Sequence, residues 1–306
     1  PTAILGVMGA AAAAAKLRKL SPEKVCLALG IAASLACGLR QNFGTMTKPL
    51  HPGQAAKNGV IAAKLAQMGF TADAGIVEAK LGYANAFAGL GKYDLNKIAA
   101  HLGQPFDILS PGVGFKRYPS CARTHPAIDA LLEMVMQKDI RAEDVASIAC
   151  SGSYTTPQML IHSRPRTALE GKFSMEFCLA LALLERRVEL PQFKDQKVQD
   201  PKIQETIKKV SFSIRPDLNT IENSGNPSTT VKILMKDGRE FTKTVDEARG
   251  TPQNPLTVEE VREKYRHCVK GIQSKKEMEK TIEIVENLEA LKKISTLTDL
   301  LRGHPK

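Results

Sequence analysis

The chain has 306 residues, 43% of them hydrophobic, with no Trp; that is long for one compact domain and suits two units packed by small aliphatic side chains. Its net charge is +11, and residues 1–119 hold 13 Lys and Arg against 5 Asp and Glu. No Lys/Arg block, aromatic-interleaved basic stripe or zinc-finger spacing accompanies that excess, which argues against nucleic acid and for a small polyanionic ligand.

Residues 1–20 read as a helix whose alanine run supplies a small-residue packing face, and Ser21-Pro22-Glu23 reads as the cap and start of the next. That second helix, about 22–37, is apolar nearly all round and is expected to be buried. Pro49, Pro52 and Gly53 predict a short rigid turn carrying Lys48 and His51, feeding a helix over 53–67 whose N-terminal end favours an anion. Shorter helices are expected at 74–81 and 94–102, with no strand pattern before Asp107.

At Ser110 the composition changes, and a domain boundary is placed there. Helices are expected over 124–137, 172–187 and 201–208, and strands over 145–151 and 210–214. Residues 229–234 and 239–245, joined through Lys236-Asp237-Gly238, form the clearest hairpin pattern. Beyond Pro255 the pattern returns to helix, with Thr257 as N-cap candidate and amphipathic runs to 291 and over 296–301.

The six cysteines, Cys26, Cys37, Cys121, Cys150, Cys178 and Cys268, stand singly with no C-x-x-C pair. This argues against structural zinc or an iron-sulfur cluster and predicts buried free thiols in a reducing cytoplasm. The longest uncharged runs, 1–15 and 25–39, are too short to span a bilayer. No metal or flavin is expected.

The densest group of chemically useful side chains is the GTMTKPLH segment at 44–51, holding Thr45, Thr47, Lys48 and His51. It continues into a run containing Gly53, Ala55, Ala56, Gly59, Ala62, Ala63, Leu65, Ala66, Gly69, Phe70 and Thr71. This stretch resembles the MmgE/PrpD family of 2-methylcitrate dehydratases, cis-aconitate decarboxylases and iminodisuccinate epimerases. Further blocks agree in order: PTAILGVMGAAAAA at the start, FKRYPSCARTHPAIDA from Phe115, EGKFSMEFCLALAL from Glu170 and RGTPQNPLTVEEVREKY from Arg249. The resemblance implies a mostly α fold: an Ala-rich helical domain over 1–114 and 252–306, with an inserted α+β lid over 115–251.

The resemblance also implies proton chemistry beside a carboxylate, which needs cations, a base and an acid. Lys48, His51 and Lys116 are the candidate catalytic residues, with Lys48 and Lys116 facing one interdomain cleft. Thr45, Thr47, Arg117 and His125 are candidate substrate ligands. Adjacent strand positions point to opposite faces, so Lys116 rather than Arg117 is taken to face the ligand. Phe177 stands where many relatives have tyrosine, which removes a phenolic acid at that point. The expected activity is that of a hydro-lyase acting on a citrate-like polycarboxylate, with decarboxylase or epimerase, or a non-catalytic anion-binding remnant, as alternatives. A homodimer without nucleic-acid or membrane partners is expected. Relatives carry well over a hundred helical residues before a Pro-Thr pair, including acidic and His site positions, so residues 1–306 alone are expected to lack part of the proton-transfer machinery unless a separate chain supplies it.

Overall fold

The computed structural model describes residues 2–100, 102–220 and 228–302. By their contacts these fall into two compact units, one ending at Pro111 and one beginning at Gly112.

The first unit is helical, without a strand among its described residues. Helix α1 (Thr2–Leu17) buries Ala3, Val7, Ala11 and Ala15, a period-four stripe that lies against α3. Helix α2 (Pro22–Ser34) starts where Ser21 accepts a hydrogen bond from the Lys24 amide. It buries Ala28 and Gly30–Ala33 but leaves its first turn exposed, so the expectation of burial holds for one end only. Small residues let the helices approach closely. A β-carbon on Gly59 would lie 2.5 Å from Ala10 Cβ and 2.6 Å from the Ala11 amide nitrogen. Arg18 and Lys24 both donate to Gln67, at 2.6 and 3.2 Å, tying the far ends of the three helices together.

Helix α3 runs Thr47–Gln67, six residues longer at its start than the sequence pattern predicts. Pro49 falls in the first turn, where the missing N–H has no intrahelical acceptor to lose. Pro52 lies deeper and removes one amide donor to the Lys48 carbonyl, which the remaining turns and the packed alanine face outweigh. Lys48 and His51 therefore stand on the first turns of a helix, not on a loop before it. Residues 74–81, expected to be helical, form turns instead: the Gly82 and Tyr83 amides bond back to Ala79 and Ile76, both at 2.7 Å. Gly82 permits this, since a β-carbon there would sit 2.2 Å from the Ile76 oxygen. Short helices α4 (Tyr83–Ala88) and α5 (Asn96–Ala99) complete the unit, α4 being held to α1 by Tyr83 donating to the Ile4 carbonyl at 2.9 Å.

The second unit is α+β. Strand β1 (Val145–Gly152) pairs parallel with β2 (Val210–Ile214) and antiparallel with β3 (Thr229–Met235), and β3 pairs antiparallel with β4 (Glu240–Val245). The order β2-β1-β3-β4 makes a small mixed sheet, and Gly238 at φ +88° supplies the hairpin turn. Val145, Ile148, Cys150, Val231, Ile233 and Met235 belong to one buried core with α6 (His125–Gln137) and α9 (Met175–Glu185). Helix α9 is apolar on every side, and it is buried accordingly. Between β1 and β2 lie α7 (Thr156–Met159), α8 (Ala168–Gly171), α10 (Asp195–Val198) and α11 (Pro201–Lys208).

Helices α12 (Val258–Val269) and α13 (Lys275–Glu286) each begin with a capping box, Thr257 with Glu260 and Ser274 with Glu277. Arg262 to Glu286 and Arg266 to Glu279 link the two helices, and α14 (Ser295–Leu301) follows. By contacts these helices group with the α+β unit rather than with residues 1–111, to which the resemblance assigns 252–306. Glu260 makes the tie, pairing with Arg249 at 2.7 Å and Arg117 at 3.5 Å.

Candidate functional site

Each unit gathers part of the predicted residue set. In the first, the extended segment after α2 and the start of α3 enclose two neighbouring pockets that share Ala3 and His51. The smaller, about 70 Å³, is lined by Thr2, Gly38, Arg40, Phe43, Lys48 and His51 among others. It is cationic: Lys48 and Arg40 contribute to its wall, and the first turn of α3 holds no acidic residue. Lys48 also lies over the Phe43 ring, 6.0 Å from its centroid. A cation in the first turn of a helix opposes the macrodipole, at a cost of about 0.3–1 kcal/mol. Lys48 and the helix end thus present positive charge to the same region.

The larger pocket, about 160 Å³, has an almost wholly apolar lining that includes Leu35, Cys37, Leu50 and Ala55. At its base Gln54 donates to Asn58 Oδ1 at 2.9 Å, and Asn58 donates to the Leu35 carbonyl at 3.2 Å. Asn58 is thereby satisfied although buried. Gly38 brings the chain against His51: a β-carbon built on it would lie 3.4 Å from Cγ and Nδ1 of the imidazole.

Thr45 and Thr47 open the helix. Thr45 Oγ1 donates to the Asn42 carbonyl at 2.9 Å and accepts from the Thr47 amide at 3.2 Å, so local turn bonds already engage that hydroxyl.

In the second unit the block from Phe115 is irregular chain rather than a strand. Phe115 donates to the Gly250 carbonyl at 2.7 Å, and the next two side chains diverge. Lys116 Nζ donates to the Ser120 carbonyl at 3.4 Å, whereas Arg117 turns to Glu260 and the face of Tyr118. Because residues 115–118 form no strand, strand alternation does not apply to Lys116 and Arg117, which have separate polar partners.

His125 begins α6 and is 3% exposed, with its ring edge-on to Tyr118 at 5.2 Å. Its Nε2 has no hydrogen-bond partner. Burial, with Lys116 and Lys264 nearby, pushes its pKa down to about 4, so the ring is neutral near pH 7. Beside it Tyr118 donates to Asp129 Oδ1 at 2.6 Å, and the Arg249 amide donates to Asp129 Oδ2 at 2.8 Å. Burial raises the carboxyl of Asp129 and the phenol of Tyr118.

Phe177 is a core residue, fully buried and edge-on to Phe193 at 5.6 Å. Of the six cysteines only Cys150 and Cys178 are buried; Cys121 is half-buried, while Cys26, Cys37 and Cys268 are exposed, which corrects the expectation of buried thiols. Among the described residues no group of three or more His, Cys, Asp or Glu could hold a metal ion, and no helix is long and apolar enough to cross a membrane. Sequence reasoning did not single out Arg40, Gln54, Asn58 or Asp129. Arg40 stands shortly before the GTMTKPLH segment, and Asp129 lies within the block from Phe115, so motif proximity was the available signal.

Comparison with known proteins gives two family matches in order along the chain: the MmgE/PrpD N-terminal domain over residues 1–96 and the MmgE/PrpD C-terminal domain over 118–290. The chain is 30% identical over 308 residues to human cis-aconitate decarboxylase, covering 99% of this chain and 63% of the human protein. Mouse cis-aconitate decarboxylase is likewise 30% identical, over 99% of this chain and 62% of its own length. The cis-aconitate decarboxylase of Aspergillus terreus is 28% identical, with 98% and 64% covered. The chain therefore spans less than two thirds of the length of these relatives. With both family models matched in sequence order, the chain belongs to the MmgE/PrpD family.

Proposed function

We propose that this chain is part of a lyase that decarboxylates a cis-aconitate-like tricarboxylate. The observation that carries this reading is the cationic pocket at the start of α3, where Lys48 and Arg40 meet His51 without an acidic neighbour in the first helical turn. Cations and a helix N-terminus suit carboxylates, and an imidazole can take up and release a proton. Within the first unit Lys48 holds a carboxylate and His51 carries the proton; Lys116 is assigned separately, as a carboxylate ligand of the second unit. Thr45, Thr47, Arg117 and His125 form the surroundings of the two lysines.

The dehydration expected from the sequence has less support than its decarboxylase alternative, because the relatives described above are named for decarboxylation of cis-aconitate. The test is to incubate the protein, as its gene encodes it, with cis-aconitate, citrate and 2-methylcitrate, following CO2 release and loss of water separately. CO2 from cis-aconitate, reduced by Lys48→Ala, is the expected result. Dehydration of citrate or 2-methylcitrate without CO2 release returns the assignment to the hydro-lyase class.

A further inference from the structure

We infer that the apolar pocket bounded by Leu35, Cys37 and Leu50 receives the carboxyl group that leaves, while the adjoining cationic pocket keeps the carboxylates that stay. This inference rests on the decarboxylase activity proposed above. Its starting point is a contrast between two pockets that share the His51 side chain. The walls of one include Lys48 and Arg40; those of the other are aliphatic groups and a thiol, with Gln54 and Asn58 at the base bonded to each other. A site that only had to bind a trianion would surround it with positive charge. Here one pocket lined by His51 has cations in its wall, and the other offers almost no polar surface.

Decarboxylation needs that asymmetry. The C–C bond to one carboxylate breaks, its electron pair stays with the substrate carbon skeleton, CO2 departs, and one proton is taken up at carbon. Charge therefore disappears from the leaving group as the bond breaks. An apolar wall disfavours the carboxylate of the ground state and accommodates the neutral CO2 of the product, so it acts on the difference between ground and transition state. The same wall would serve the dehydratase reaction poorly, since departing hydroxide needs hydrogen-bond donors. At about 160 Å³ the pocket also has room to spare, water in the liquid occupying roughly 30 Å³ per molecule. His51, lining both pockets, stands where a proton would be handed to the carbon between retained and departing groups.

Leu50 is 58% exposed, so exchanging it for a polar residue of similar size places little demand on the fold. The experiment compares Leu50→Asn and Leu35→Asn with the control Leu81→Asn in the protein as its gene encodes it, with thermal melting to establish folding. CO2 release from cis-aconitate and the carboxyl-carbon isotope effect are measured for each. For Leu50→Asn, kcat is expected to fall about tenfold or more with KM little changed, and the isotope effect to rise as bond breaking becomes slower. Leu81→Asn, at a leucine 94% exposed and outside both pockets, is expected to keep its kcat within about twofold. If folded Leu50→Asn and Leu35→Asn both retain kcat, the pocket does not take the leaving group and the inference is overturned. If the unsubstituted protein releases no CO2 from cis-aconitate, the decarboxylase reading fails first and this inference falls with it.

Discussion

The imidazole of His51 lies against Gly38, so close that a β-carbon on Gly38 would stand 3.4 Å from its Cγ and Nδ1 and 2.9 Å from Ala3 Cβ. Gly38 also adopts φ +139°, a conformation that side-chain-bearing residues rarely take. Gly38→Ala is therefore expected to clash with Ala3 and shift the segment that packs on the His51 ring, lowering kcat on cis-aconitate more than it raises KM, and to destabilise the protein by about 1 kcal/mol or more. Steady-state kinetics and urea unfolding measure the two effects. Unchanged kcat would separate His51 from the chemistry.

Lys48→Ala removes a cation that lines the smaller pocket at the start of α3. A hydrogen bond to a charged group contributes about 1.5–3 kcal/mol, so kcat/KM is expected to fall about 10–100-fold. Lys116→Ala is expected to do the same. By contrast Arg117→Ala, which breaks an exposed pair with Glu260, should cost at most about 1 kcal/mol of stability.

His125 ties stability to acid pH. Its folded pKa, about 4, lies below its ordinary value of 6.5, so between these two pH values the unfolded chain binds the extra proton. The stabilisation is complete above pH 6.5 and is lost as the pH falls toward 4. Each tenfold difference in proton affinity between the folded and unfolded chain corresponds to about 1.36 kcal/mol, so the loss is on the order of 3 kcal/mol. Urea midpoints across pH 4–7 are expected to slope less in His125→Phe than in the unsubstituted protein, and parallel slopes would locate the acid sensitivity elsewhere.

Phe177→Tyr introduces the tyrosine that the family resemblance leads one to expect, yet it places a hydroxyl in a fully buried site packed by Phe193 and Gly171. An unpaired buried hydroxyl costs about 1–3 kcal/mol, so the melting temperature is expected to fall by several degrees with no gain in activity. A rise in kcat would show that the phenol reaches the substrate.

Thiol accessibility follows burial. Cys26, Cys37 and Cys268 are expected to react with an aromatic disulfide reagent in the native protein. Cys150 and Cys178 should react only on unfolding, burial having pushed the Cys178 thiol up to about 12. Mass spectrometry of the labelled peptides reads the order directly.

Features that depend on near neighbours along the chain are legible in the amino-acid order. The caps at Ser21 and Thr257 fix helix starts through hydrogen bonds to amides three residues on, and Asp237-Gly238 sets the hairpin. The GTMTKPLH segment and the blocks around it identified the family for the same reason: those residues are contiguous. The break near Ser110 lies close to the division after Pro111. Other features come only from packing between distant segments. Helix α3 absorbs Pro52 because its alanine face packs on α1 and α2, a stabilisation invisible to local propensity. Arg40 joins Lys48, and Leu35 joins Leu50, only because the segment after α2 runs back across the start of α3. Phe177 and His125 are likewise core residues by virtue of what surrounds them. Caps and turns are settled within a few residues, whereas pockets and burial depend on side chains that the folded chain brings together from distant positions.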